Sequence, residues 1–345
     1  MNASSQSTIA YLNFIRYELN RYIPITFLIF GSIGQILNIL VFTRPIIRAS
    51  SCSIYFVSGS IVNFVSLHVG LITPFLGIYN LDPTQIFDSL CKIRYYLRFS
   101  TITLSTWFIL LACIDRSFST SNNVNMRSFS SLRVAKRIVI LATIICFTCP
   151  YTQVFYCYRI NQDSLCAVNP TCRLINDIIL LVCNSGVPPI LMMLTTLITI
   201  HNVKYSNHIV VGRRRDVQLI RLLFIQVFSL ILFSIPITAQ KFYACLTIYM
   251  VKSPLTIAID NLMSAIATEI SYVNNSTIFY TYSLTNRRYR KEVFRILLLL
   301  FTCCQSTKIH PVQLINSSRI NQNKMTTKMF NESYQLNIRN RTKRL

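Results

Sequence analysis

Seven apolar runs of membrane-spanning length dominate the chain, at about 23–43, 53–79, 91–117, 134–156, 174–200, 217–243 and 256–282. They predict an all-α membrane protein, a seven-transmembrane helix bundle. Composition points the same way: 52% of the 345 residues are hydrophobic and 13% charged, against about a quarter charged in soluble domains. The net charge of +23 does not imply a nucleic-acid partner. Its Lys and Arg lie between and after the apolar runs rather than on a soluble face. Pro150 and Pro236 fall inside the fourth and sixth runs and Pro188-Pro189 inside the fifth. Each is read as a kink whose freed carbonyls are re-satisfied by neighbouring helices.

The basic residues also orient the bundle. With the N-terminus outside, 25 of the 34 Lys and Arg residues fall in the inner connections and the tail, as the positive-inside rule requires. Residues 1–22 are expected to be a short polar extracellular N-terminus without the apolar core of a signal peptide. Asn2-Ala3-Ser4 within it is a glycosylation sequon at Asn2. After the seventh run, the basic stretch Asn286–Arg295 leads into Ile296–Phe301 and Cys303-Cys304. That pattern predicts a short amphipathic helix on the inner membrane surface, with Cys303 and Cys304 as acylation sites that add a second lipid anchor. Residues 23–304 then form the membrane domain. Residues 305–345, polar and basic, are expected to be a disordered cytoplasmic tail.

The third run is chemically the most distinctive. Cys91 stands at its head, and Asp115-Arg116 ends it 25 residues later, roughly 38 Å along a helix. A charge within the bilayer costs about 3 kcal/mol on insertion scales, so Arg116 has to be paired or interfacial. Cys157, Cys166, Cys172 and Cys245 are available to Cys91 in an oxidising compartment. Cys113, Cys146, Cys149 and Cys183 read as small buried hydrophobes.

These features together resemble the rhodopsin-like G-protein-coupled receptors. The resemblance covers about residues 23–304. It rests on Cys91 and Arg116 at their 25-residue spacing, on Asp115-Arg116-Ser117 in place of Asp-Arg-Tyr, on Asn38 in the first span, and on the prolines of the fifth and sixth. The seventh-span Asn-Pro-x-x-Tyr motif is eroded to Ile278-Phe279-Tyr280-Thr281-Tyr282, with Tyr289 seven residues on. Arg215-Asp216-x-Gln218-Leu219-Ile220 with Phe279-Tyr280-x-Tyr282 is similar to invertebrate FMRFamide and other neuropeptide receptors.

The resemblance implies a plasma-membrane receptor that activates a heterotrimeric G protein by outward movement of the sixth helix. In the family an acidic residue at the position of Asp216 pairs with the third-helix Arg at rest, which implies an Arg116–Asp216 lock, with Asp115 and Tyr282 at the same coupling end. The family also ties its third-helix Cys to the second outer loop. Cys166 is the first choice as partner of Cys91 and Cys172 the second; with Cys166 used, Cys157 and Cys172 are free to form another bridge.

Ligand-pocket positions of the family correspond to Arg98, Lys241, Glu269 and Tyr272. Arg98 replaces the Asp of amine receptors and Tyr272 the retinal-binding Lys of opsins, which argues against both ligand types. Arg98 and Lys241 favour an anionic or carbonyl-rich ligand, and Glu269 a cationic group. An internal Arg98–Glu269 salt bridge is the alternative. Asn63 replaces a second-helix Asp near Ser105 and Asn274, so no sodium site is expected.

No catalytic constellation, metal spacing or cofactor motif is visible, and His68, His201, His208 and His310 are scattered. The chain is therefore read as a receptor rather than an enzyme, with an extracellular peptide as ligand and membrane lipid as its surroundings. A small-molecule chemosensory receptor is the alternative. A seven-helix transporter or channel would place charges along a midplane path.

Overall fold

The apolar runs are largely helical, but their ends and interruptions differ from expectation at places set by proline and by the absence of helix breakers. The computed structural model describes the backbone of residues 3–48, 50–160, 166–205 and 210–306. Side chains are described for 5–45, 47–48, 50–160, 166–204 and 220–299. The sequon at Asn2, the side chains of Cys303 and Cys304, and the tail from 307 lie outside the described residues.

Along the chain run α1 (Ala3–Phe42), the short α2 (Pro45–Arg48), α3 (Cys52–Ile78), α4 (Asp88–Ser119), α5 (Val124–Phe129) and α6 (Leu132–Thr148). The single-turn α7 (Val154–Cys157) leads into an antiparallel hairpin of β1 (Tyr158–Ile160) and β2 (Cys166–Val168), with Ile160 opposite Cys166. Then follow α8 (Pro170–Leu180), α9 (Val187–Tyr205), α10 (Val210–Leu246), α11 (Pro254–Thr285) and α12 (Arg287–Ser306). Two units divide the chain, Met1–Val293 and Phe294–Leu345. Of the second, the described part is the continuation of α12 to Ser306.

Among the described residues five helices are long and apolar enough to cross a membrane: Ser5–Phe42, Cys52–Ile78, Asp88–Ser119, Pro170–Lys204 and Ile220–Leu246. The protein is thus an all-α membrane protein apart from one small hairpin. The other two expected spans are weaker. The fourth, α6, is only 17 residues long, because Pro150 ends it rather than kinking it. A residue before proline is pushed out of regular helix, and here the last helical residue is Thr148. The seventh, α11, has ample length at 32 residues but carries Asp260, Glu269, Asn261, Asn274 and Asn275.

The first helix differs in the other direction. No Gly or Pro lies between Ala3 and Ile23, so the helix continues through the segment expected to be a separate polar extension. It reaches 40 residues, about 60 Å.

Within the first unit α1 packs against α3 and α11, α3 against α4, α4 against α9, α9 against α10, and α10 against α11, closing a ring. Outside it, α6 lies against α3 and α4. Close approach of α1 depends on Gly31, where a Cβ would stand 2.7 Å from Leu67 Cδ1 and 3.3 Å from the Ser276 backbone. Small residues at such contacts are the usual device of membrane helices, which lack a hydrophobic driving force for association.

α4 is the most enclosed helix, and its buried residues include the small polar Ser100, Thr101, Thr103, Ser105 and Thr106. Neighbouring elements answer some of its polar groups. Ser105 Oγ donates to Asn63 Oδ1 on α3 at 2.5 Å. Thr103 Oγ1 and the Tyr151 hydroxyl lie 2.7 Å apart, and Tyr96 Oη donates to Phe147 O at 2.5 Å.

Pro188-Pro189 acts through hydrogen-bond arithmetic. The Val187 amide bonds Val182 O, widening Leu181–Gly186 into a π-helical turn. The next donor in line would be Pro188, which has no N–H. Cys183 O is therefore left without a backbone donor, and the indole of Trp107, the single tryptophan, supplies one at 3.0 Å. Beside it Thr106 Oγ1 donates to Asn184 Oδ1 at 2.6 Å. Trp107→Phe keeps an aromatic ring, though a smaller one, and removes the donor. It is expected to cost about 1–3 kcal/mol, the penalty for a buried orphaned carbonyl, read as a lower midpoint of thermal unfolding in detergent.

Candidate functional site

Two groups of charged side chains sit at opposite ends of α4. At its C-terminal end, Asp115 and Arg116 are each only 5% exposed. Their neutralisation is local: Arg116 Nη2 lies 2.8 Å from Asp115 Oδ2. The start of α3 completes the shell, since Arg116 Nη2 donates to Ser50 Oγ at 3.0 Å and to Ser51 Oγ at 3.3 Å. Asp115 accepts from Ser51 at 2.8 Å and from Ser130 at 2.9 Å. A buried charge pair is stable only when its remaining lone pairs and protons are also satisfied, and the three serines meet part of that demand here. The Asp216 side chain lies outside the described residues, and the Arg116–Asp216 lock with it. Ser50, Ser51 and Ser130 carried no signal in the sequence, being ordinary serines in polar connections.

Tyr282 lies near this end, with Tyr289. Both are 1% exposed; Tyr282 packs with Phe42, Phe56 and Tyr289, and Tyr289 with Phe42, ring centroids 5.5–5.8 Å apart. The Tyr282 hydroxyl donates to Gln226 on α10 and the Tyr289 hydroxyl to Asn38 on α1. The eroded seventh-span motif therefore still supplies a phenol that links α11 to α10.

The N-terminal end of α4 is built by two disulfides. Cys91 joins Cys166 and Cys157 joins Cys172, with Cα separations of 5.8 and 5.7 Å. Together they fix the hairpin to α4 and to the start of α8. The Asp88 carboxylate adds a hydrogen bond from the Ile160 amide at 3.2 Å. Of the free cysteines read as buried hydrophobes, Cys113 and Cys146 are buried. Cys183 is half-buried at the π turn and Cys149, beyond the end of the shortened α6, is exposed.

Next to the hairpin lies a cavity of about 470 Å³ whose lining includes Arg98, Tyr158, Asp177, Asn184 and Lys241. A second of about 770 Å³ shares Arg98 with it and adds Glu269, Arg94 and residues of α1. Both fall in the size range of ligand pockets, about 300–1,000 Å³.

The four residues picked from the sequence have different positions here. Arg98 lines both cavities, Glu269 the larger and Lys241 the smaller. Tyr272 lines neither. Its ring, 1% exposed, fills the space beside Gly70, where a Cβ would stand 2.6 Å from Tyr272 Cζ. Lys241 is already paired within the protein, its Nζ 2.7 Å from Asp177 Oδ1. Arg173 Nε approaches the other oxygen at 4.0 Å. The sequence did hold a signal for this: Asp177 is an acid inside the fifth apolar run, four residues after Arg173. The alternative Arg98–Glu269 salt bridge is not formed among the described residues.

The connection between α10 and α11 closes the same end. Lys252 Nζ lies 2.5 Å from Asp260 Oδ2 and 2.8 Å from Thr247 Oγ1. The carboxylate hydrogen bond raises the Lys252 ammonium above its ordinary pKa.

Comparison of the chain with protein-family models finds no matching family, and comparison with curated proteins finds no match.

The Lys241–Asp177 pair gives a direct test of the geometry. Lys241→Met leaves the buried Asp177 with only the distant Arg173 and is expected to cost about 3 kcal/mol or more. Lys241→Met combined with Asp177→Leu is expected to recover most of that, measured as thermal unfolding midpoints of the purified variants.

Proposed function

We propose that the chain is a seven-helix receptor of the rhodopsin-like type, at the plasma membrane, that passes an extracellular peptide signal to a heterotrimeric G protein. One observation carries the reading: a single enclosed helix, α4, has a disulfide-tied hairpin beside a cavity at one end and a buried Asp-Arg pair at the other. The chemistry suits signal transfer. Occupation of the cavity shifts α4 against α9 and α10, and the hydrogen-bonded charge cluster around Arg116 offers two discrete arrangements rather than a continuum.

Seven spans rather than five are supported by the exterior of the two weaker helices. α6 exposes Ile140, Leu141, Ile144 and Ile145, and α11 exposes Ile257, Ile259 and Met263. Such rows cost free energy in water and suit lipid. The polar residues of α11 are largely turned inward, with Glu269, Asn274 and Ser276 buried.

In the resting state Arg116 is held by Asp115 and, on this reading, by Asp216 of α10. Activation releases α10, the sixth span, outward and opens a cleft for the G protein. A cell-based screen of peptides with free and with amidated C-termini, read as agonist-driven guanine-nucleotide exchange on a co-expressed G protein, tests the proposal; ion flux without exchange would refute it in favour of a channel. Asp216→Asn is expected to raise basal exchange several-fold, and basal exchange at the wild-type level would remove the lock. Asn63 meets Ser105 as an amide rather than a carboxylate. Agonist affinity is accordingly expected to stay within about twofold when Na⁺ is replaced by choline, since no ionised ligand holds the ion.

A further inference from the structure

Most charges on the walls of the two cavities are neutralised within the protein. Arg94 Nη1 is 3.5 Å from Asp82 Oδ2 and 3.2 Å from Thr84 Oγ1, and Lys241 is taken by Asp177. Besides the solvent-exposed Arg16 of the larger cavity, Arg98 and Glu269 are exceptions. Both line the larger cavity, yet neither lies within 4.0 Å of an opposite charge among the described residues. Glu269 is 5% exposed, and its Oε2 has no hydrogen-bond partner there.

A guanidinium does not give up its proton, and an ionised carboxylate withdrawn from water without a partner is costly. The wall of the larger cavity therefore offers a fixed cation, Arg98, and a buried carboxyl, Glu269, that ionises at least cost when a cation meets it, with no ion pair joining the two. We infer that the larger cavity receives a zwitterionic ligand, its cationic group on Glu269 and its anionic group on Arg98. A purely anionic ligand leaves Glu269 unpaired and a purely cationic one leaves Arg98 unpaired. At about 770 Å³ the space suits a free amino acid or a very short peptide with both ends charged. The ligand also meets amide and phenol groups, because Asn13, Tyr17 and Asn20 of α1 line the same cavity.

The inference rests on the receptor reading for its biological sense, but its tests do not use G-protein coupling. The first uses the full chain in lipid nanodiscs without ligand. Glu269→Gln replaces an unpaired carboxylate with a neutral amide and is expected to raise the unfolding midpoint by about 2–4 °C. A fall in the midpoint would mean that Glu269 is held by a structural partner, and would overturn the inference.

The second uses the wild-type protein and a panel of free dipeptides, with each dipeptide also acetylated at its N-terminus or amidated at its C-terminus. Free dipeptides that raise the unfolding midpoint are expected to lose at least tenfold in affinity on either capping. Acetylation is expected to lose its effect in Glu269→Gln, and amidation in Arg98→Gln. Equal binding of capped and free forms, or no shift by any free dipeptide, would overturn the inference. Dipeptide binding without nucleotide exchange would count against the receptor reading alone. Exchange driven by a neutral or singly charged agonist in this cavity would count against the zwitterion alone.

Discussion

The bundle depends on the satisfaction of polar groups where water is absent. Hydrocarbon offers no hydrogen bonds, so a backbone group freed from a helix has to be met by another part of the chain, and side-chain hydroxyls and amides gain from the same pairing. α4 concentrates that demand. Its Ser and Thr residues let neighbouring helices approach closely, and the same residues then fix where those helices sit: Asn63 of α3 on Ser105, Asn184 of the π turn on Thr106, Tyr151 on Thr103. A wholly apolar α4 would pack in many registers. This one packs where its donors find acceptors.

The same rule explains why proline acts differently at different sites. Pro188 removes a donor from a carbonyl that Trp107 can reach, so the helix carries on through a widened turn. Pro150 follows the last turn of α6, and the freed end is answered by Tyr96 on Phe147 O. What each proline does is decided by whether a neighbouring side chain can replace the missing bond, a tertiary fact that lies outside the local sequence. Helix positions were therefore legible in the apolar runs, whereas the end of α6, the π turn and the hairpin were not.

The site was legible in a similar, partial way. Cys91, Arg116 and Arg98 were distinguished by charge or sulfur inside an apolar helix, a signal that any single sequence carries. Lys241 was legible as an intramembrane charge, but its partner Asp177, which makes the pair a strut between α8 and α10, was passed over. The serines around Arg116 could not be picked out, because serine in a polar connection has no distinguishing mark until the fold brings it to a guanidinium. Residues 1–22 were read only as a short polar N-terminus, and the helix over residues 3–22 follows from the absence of any breaker there.

That last feature has a mechanical meaning. A helix unbroken from Ala3 to Phe42 is a stiff rod with Asn13 and Tyr17 on the cavity wall at one end and Phe42 against Tyr282 and Tyr289 at the other. Its pressed contact at Gly31, near Leu67 and Ser276, stands between the two like a fulcrum. A tilt imposed above that point reappears below it with the opposite sense. Pro24, where the hydrogen-bond ladder of the rod lacks a donor, sets how much of the tilt is lost to bending.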